Sequence, residues 1–199
     1  MSNNIAKPKS HLRWRVIDIS VASVIAVVSA VIYWVVSAFC TAPWDFLQSL
    51  VPGLAGLING LWLFAGPLAA IIIRKPGAAL YTELLAGVIE GLMGNIWGLP
   101  HTFIVSMIQG IGAEIIFLIL LYKRWNIWYT ALAGGFSGIG TWVNSVFNHL
   151  QGVGLFGKYG IVLFTTSFIS GAVFAGILMW FLYKGIRKTG ALSSFASGR

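Results

Sequence analysis

Charge is scarce in this sequence. Only 9% of the residues are Asp, Glu, Lys or Arg, and just five of those are acidic: Asp18, Asp45, Glu83, Glu90 and Glu114. A water-soluble domain normally carries about 25% charged residues, so a solvated globular surface is excluded. Cysteine is nearly absent too. Cys40 stands alone, which rules out an intrachain disulfide and a thiolate metal cluster. His101 and His149 have no His or Cys at metal-ligand spacing, and no nucleophile–base pair stands out. A membrane enzyme is therefore disfavoured, and neither a metal nor a cofactor is implied.

What the chain has instead is apolar sequence: 58% hydrophobic residues and a mean hydropathy of +0.86. The few charges sit in short islands between hydrophobic runs of about 20 residues, the length that carries a helix across the ~30 Å hydrocarbon core. The expected fold is an all-α membrane protein, one domain over 1–199, with six transmembrane helices near 16–39, 51–73, 77–97, 102–122, 127–148 and 159–184. The first run follows a basic segment as a signal peptide would, but it is too long for one and reads as a retained helix. Pro52, Gly53 and the pair Gly66-Pro67 predict a break in the second span.

Six spans sort the basic residues to one side. Lys7, Lys9, Arg13, Arg15, Arg74, Lys75, Lys123, Arg124, Lys184, Arg187, Lys188 and Arg199 fall together, leaving only Lys158 opposite. The positive-inside rule then places both termini in the cytoplasm of a cell (plasma) membrane protein. It also accounts for the net charge of +8 without nucleic acid as a partner; the surrounding partner is membrane lipid. Trp14, Trp125, Trp128 and Trp180 fall near the inner interface, and Trp34, Trp44, Trp97 and Trp142 near the outer one.

Polar residues gather at the outer end. The third span finishes with Asn95 and Trp97, followed by His101; the fifth carries Trp142, Asn144, Asn148 and His149. At 100° per residue, Gly135, Gly138, Trp142, Ser145 and His149 share a face, close-packing below and diverging above into an outward pocket. Asn144 and Asn148 serve either that pocket or hydrogen bonds between helices. The stretch ELLAGVIEGLMGNIW (83–97) places Glu83, Gly87, Glu90, Gly94 and Trp97 on one stripe. Glu90 lies about 10 Å below the outer end and Glu83 about 10 Å deeper, with Glu114 expected level with Glu83. Ionisable residues inside a membrane face the interior and mark functional sites by default. Glu90 is read as a ligand contact. Glu83 and Glu114 are either neutral hydrogen-bonding acids or the floor of the site.

Carboxylate, tryptophan and amide together, without a basic residue among the spans, suit an organic cation with a heteroaromatic ring. GVGLFGK (152–158) resembles the front of a phosphate-binding loop, but Tyr159 replaces the Ser/Thr that would ligate magnesium, and the loop lies on the outer side. Ala22, Ala26 and Ala30 form a row of small residues that lets a helix approach closely, from within the chain or from outside it.

Taken together, six spans in about 200 residues, the basic N-terminal segment, the AxxxA spacing and the outward polar pocket resemble the S components of energy-coupling factor (ECF) vitamin transporters. The run ELLAGVIEGLMGNIWG, followed by a proline and His101, is similar to the YkoE-type thiamin or hydroxymethylpyrimidine S components. The resemblance implies a compact S-component bundle that captures its vitamin from outside and associates with a transmembrane coupling subunit driven by cytoplasmic ATPases. It implies further that Ala22, Ala26 and Ala30 line the docking face, and that the loop around Trp44 and Asp45 closes over substrate. The alternative is a self-sufficient proton-coupled carrier in which Glu83 or Glu114 cycles a proton; an inverted repeat, common in such carriers, is not evident.

Overall fold

A computed structural model describes residues 12–148 and 156–198, and every described regular segment is helical. Helix α1 (Val16–Phe39) is followed by a short α2 (Thr41–Leu50), a 3-10 segment (Leu54–Trp62) and α3 (Ala65–Ile73). Then come α4 (Ala78–Leu92), α5 (Leu99–Ile119), α6 (Ile127–Asn148) and α7 (Lys158–Ser170). The last of these runs through a π-helical stretch (Gly171–Leu178) into α8 (Met179–Lys188). Three described helices are long and apolar enough to cross a bilayer: Val16–Phe39, Leu99–Ile119 and the continuous Lys158–Lys188. The 3-10 segment and α3, bent by 44° at their junction, make a fourth crossing if taken as one broken span.

That break has a local cause. Gly53 adopts φ +95 and starts a 3-10 path, whose hydrogen-bond geometry is poorer than that of an α-helix. Hydroxyls from α7 supply extra partners. Thr166 donates to the Gly53 carbonyl (2.9 Å), Gly60 N–H donates to Ser170 Oγ (2.8 Å), and Ser170 in turn donates to the Leu57 carbonyl (2.6 Å). Pro67 falls in the first turn of α3, where a missing N–H costs little. All of α3 is buried, so it forms the centre of the bundle rather than a lipid-facing wall.

Around it, α1 packs on one side only. Ala22, Ala26, Ser29, Ala30, Tyr33 and Ser37 face inward, whereas Val24, Val27, Val28, Val31, Ile32 and Val35 are exposed. The small-residue row is thus occupied within the chain: Ala22 belongs to the same core cluster as Ala78 and Ala79, Ala26 and Ala30 to another with Ala65 and Ala86, and all three have no exposed surface. Within the chain by itself, the three alanines that were expected at a docking face are covered by α3 and α4. Their small size brings α1 close to α3 and α4, and the outward side of α1 is a ridge of valine and isoleucine.

Elsewhere glycines set the spacing. A Cβ on Gly138 would lie 2.2 Å from the Ser167 carbonyl oxygen, and one on Gly112 would lie 2.5 Å from that of Phe136. These contacts hold α6 tight against α7 and α5 in its lower half, as the glycine pattern predicts. The third expected span is shorter than anticipated. Helix α4 stops at Leu92 because Gly94 (φ +82) and Gly98 (φ +79) turn the chain before α5, whose first turn contains Pro100. Trp97 therefore lies in a turn and not on the helical stripe that carries Glu83 and Glu90.

The basic residues of α1's start, the α3–α4 turn, the α5–α6 turn and α8 meet at one end. Lys75 donates to the Arg13 carbonyl (2.6 Å) and pairs with the buried Asp18, which also binds Arg15 (2.9 Å). Trp14 donates to the Pro76 carbonyl (2.8 Å). The last described residues fold back over this end: Leu192, Phe195 and Ser197 are buried, and Ser197 donates to the Ile72 carbonyl (2.6 Å).

Candidate functional site

At the opposite end, α1, the 3-10 segment, α4, α5 and α6 splay apart around a cavity of about 370 Å³. Its wall includes Cys40, Trp44, Trp62, Glu90, Trp97, His101, Gln109 and Asn144, with Glu83 and Gly87 below Glu90. Among the described lining residues there is no lysine or arginine, so the cavity has acceptors and aromatic faces but no cation.

Glu90 is held where it can meet a ligand. Ser37 and Asn95 both donate to its Oε1, at 2.6 and 3.1 Å, and Trp62 Nε1 donates to Ser37 Oγ at 3.0 Å. Asn95 is fixed in turn, its Oδ1 accepting from the N–H groups of Trp97 (3.2 Å) and Gly98 (2.8 Å). It orders the α4–α5 turn and orients the carboxylate from the side. Trp97 stands edge-on to Trp62 with centroids 5.7 Å apart, and His101 stacks obliquely on Trp97 at 6.2 Å. The arrangement is a carboxylate beneath an aromatic corner, the form that takes a flat ring bearing an amino group or positive charge.

Glu83 has different neighbours. Its Oε2 accepts the Gly66 N–H (2.7 Å) and its Oε1 accepts the Tyr33 hydroxyl (3.0 Å), while Tyr33 also accepts the Ala65 N–H (2.9 Å). The side chain is wholly buried and joins α1, α3 and α4 at the cavity floor. Glu114 lies elsewhere. It accepts the N–H groups of Gly77 (2.7 Å), Ala79 (2.9 Å) and Leu80 (3.2 Å) and the Tyr122 hydroxyl (2.6 Å). It satisfies the unpaired donors at the α4 N-terminus and complements the helix dipole. The expectation that it shares Glu83's depth is corrected: it sits a full turn or more nearer the basic end.

One further expectation changes. Trp142 turns away from the cavity, donating to the Gly160 carbonyl (2.9 Å) and packing edge-on against Phe164 (5.3 Å). Its neighbours Thr141, Asn144 and Ser145 line the wall instead. Trp44 does reach the cavity from α2, which is tethered by Gln48 donating to the Tyr159 hydroxyl (2.8 Å). The Asn148 side chain and His149 lie outside the described residues.

Several lining groups escaped the sequence reading. Trp62, Asn59 and Gln109 sit inside apolar runs. Asn59 donates to Ser167 (2.8 Å) and Gln109 to Thr141 (2.9 Å). Polar side chains within spans were the available signal, since such residues turn inward.

Comparison with known proteins decides the family. Residues 17–140 match the family described as "ABC-type cobalt transport system, permease component". The chain is 32% identical over 192 residues to the "Putative HMP/thiamine permease protein YkoE" of Bacillus subtilis (strain 168), covering 94% of this chain and 91% of that one. A solved structure described as "Crystal structure of an S-component of ECF transporter" superposes with a TM-score of 0.84 at 32% identity, over 94% and 92% of the two chains. The chain belongs to the YkoE-type S components of ECF transporters. This S component is accordingly a multi-pass membrane transport protein and not an enzyme.

Proposed function

We propose that this S component is the substrate-capturing subunit of an ECF-type ABC importer and binds thiamin or its hydroxymethylpyrimidine precursor from outside. It spans the membrane six times with both termini in the cytoplasm. It passes its ligand through a transmembrane coupling subunit energised by cytoplasmic ATPases. The observation that carries the reading is the anchored Glu90 carboxylate under Trp62, Trp97 and His101, in a cavity lined without lysine or arginine among the described residues. An aminopyrimidine supplies an amino donor for Glu90 and a flat ring for the indoles; the cationic ring of thiamin adds cation–π attraction of about 0.5 to 2 kcal/mol. The relative named as an HMP/thiamine permease supports the same ligand class. The absence of any recognised nucleotide motif accords with ATP hydrolysis by partners.

Titration calorimetry of the detergent-solubilised protein with thiamin and with hydroxymethylpyrimidine tests this directly. One ligand per chain is expected, and occupancy should protect Cys40, the chain's single cysteine and a cavity residue, from thiol reagents. Glu90→Gln removes a charged acceptor worth about 1.5 to 3 kcal/mol, so affinity should fall about 10- to 150-fold. Unchanged affinity in Glu90→Gln would overturn the assignment of the carboxylate. Uptake into liposomes by the chain alone would replace the partner-dependent reading with the proton-coupled carrier.

A further inference from the structure

The end of the bundle opposite the cavity holds an arginine in an unusual setting. Arg74 closes α3 in the left-handed conformation (φ 58, ψ 41), where glycine is the usual residue. Its guanidinium lies 5.5 Å from the centroid of Trp125 and 6.0 Å from that of Tyr183. Nε donates to the Ile71 carbonyl (3.3 Å) and Nη2 to the Tyr183 hydroxyl (3.2 Å). Trp125 is itself stacked on Phe117 at 4.9 Å, so the ring beneath the guanidinium is held in place.

No acid among the described residues forms an ion pair with the charge in this cradle. Among the described residues both ion pairs use Asp18, with Arg15 and with Lys75, and neither involves Arg74. Glu114, the other acid towards this end, is committed to the α4 N-terminus and Tyr122. Burial holds Arg74 below the usual arginine value; Tyr183 opposes this, and repulsion from a second arginine, Arg187, adds to it. The α3 C-terminal dipole accounts for one positive charge at this point. It does not account for a half-buried guanidinium held over two aromatic rings, against its backbone preference, beside another cation.

We propose that Arg74, with Trp125 and Tyr183 as its cradle and Arg187 beside it, forms a binding site for a phosphate group at the basic end of the bundle. The fork of a guanidinium matches two phosphate oxygens, and the contacts with Trp125, Tyr183 and the Ile71 carbonyl hold the group in place for them. The phosphate belongs to an anionic lipid headgroup or to a free phosphate; both present the same oxygens.

Thermal unfolding of the whole protein in nanodiscs separates these sources. Three conditions are compared: phosphatidylcholine alone, phosphatidylcholine with a fraction of phosphatidylglycerol, and phosphatidylcholine with added inorganic phosphate. The wild-type Tm should rise in at least one of the last two conditions, and which one names the source. Arg74→Gln should lose more than half of that rise. Arg124→Gln, which removes the same charge from an exposed position in the neighbouring turn, should keep it. Because each variant is compared with itself across lipids, general destabilisation cancels; if Arg74→Gln does not fold, Arg74→Lys should fold and retain only part of the rise. An equal rise in the Arg74 and Arg124 variants would reduce the effect to surface charge and overturn the site. No rise in the wild type under either condition would overturn it as well.

Discussion

Glu83 and Glu90 stand two turns apart on α4, and their partners divide them. Glu83 accepts one main-chain N–H and one buried hydroxyl, both from inside the bundle. A glutamine there offers a single oxygen for two donors, leaving one buried donor unmatched at a cost of about 1 to 3 kcal/mol. Glu83→Gln is thus expected to lower the unfolding temperature in detergent while weakening thiamin affinity less than Glu90→Gln does. Unchanged stability with lost binding would move Glu83 from the scaffold to the ligand. Trp62 separates function from packing in a similar way. Trp62→Phe keeps an aromatic face but deletes the N–H that donates to Ser37, the residue that orients Glu90. Its expected effect is a several-fold loss of affinity, about 1 kcal/mol for one hydrogen bond, and calorimetry reads it.

At the scale of the helices, small residues decide which elements touch. Ala26 lies against α3 and α4 with no exposed surface. Ala26→Leu inserts three extra carbons into a filled interface, where overpacking costs about 1 to 3 kcal/mol. The variant should unfold at lower temperature and bind less ligand, in contrast to the transport-only defect a docking alanine would give. Binding and Tm of wild type with loss of transport would support the docking role. The turn between α4 and α5 shows the same dependence on local chemistry. Gly94 takes a positive φ that alanine resists, and Trp34 Nε1 donates to its carbonyl (3.0 Å). That turn puts Asn95 and Trp97 around Glu90, although neither continues the α4 stripe.

For the whole molecule, the two ends have opposite designs. One is opened by α2, the 3-10 segment and the α4–α5 turn into a cavity, and the other is closed by Asp18, Lys75 and the folded-back final segment. Phe195 is 2% exposed and lies beneath the Arg15 guanidinium (5.6 Å). Tyr183 donates to the Ser197 carbonyl (2.7 Å). Phe195→Ala should cost up to about 3 kcal/mol, the low end for a buried Phe because the site lies at the bundle's end where the chain can relax. Its thiamin affinity should be that of the wild type, since the cavity lies at the far end. A matching fall in affinity at saturating folded fraction would show instead that the two ends are coupled.

Much of this was readable from one dimension. Long apolar runs between charge islands determine a helical membrane protein because a bilayer offers no partner for unpaired backbone groups. The glycine spacing of α6 anticipates its close contacts, and an intramembrane carboxylate next to tryptophans singles out Glu90, which lies in the cavity wall. The final placement of Trp142, Glu114 and the alanine row was not readable, because a helical period assigns a face but not the neighbour that occupies it. Trp62 and Gln109 entered the site only through a bend and a splay between helices distant in sequence. Composition and periodicity determined the class and singled out the acid; tertiary packing decided which aromatic, amide and alanine faces line the cavity, pack in the core or point outward, because each such contact is a property of two elements and not of one.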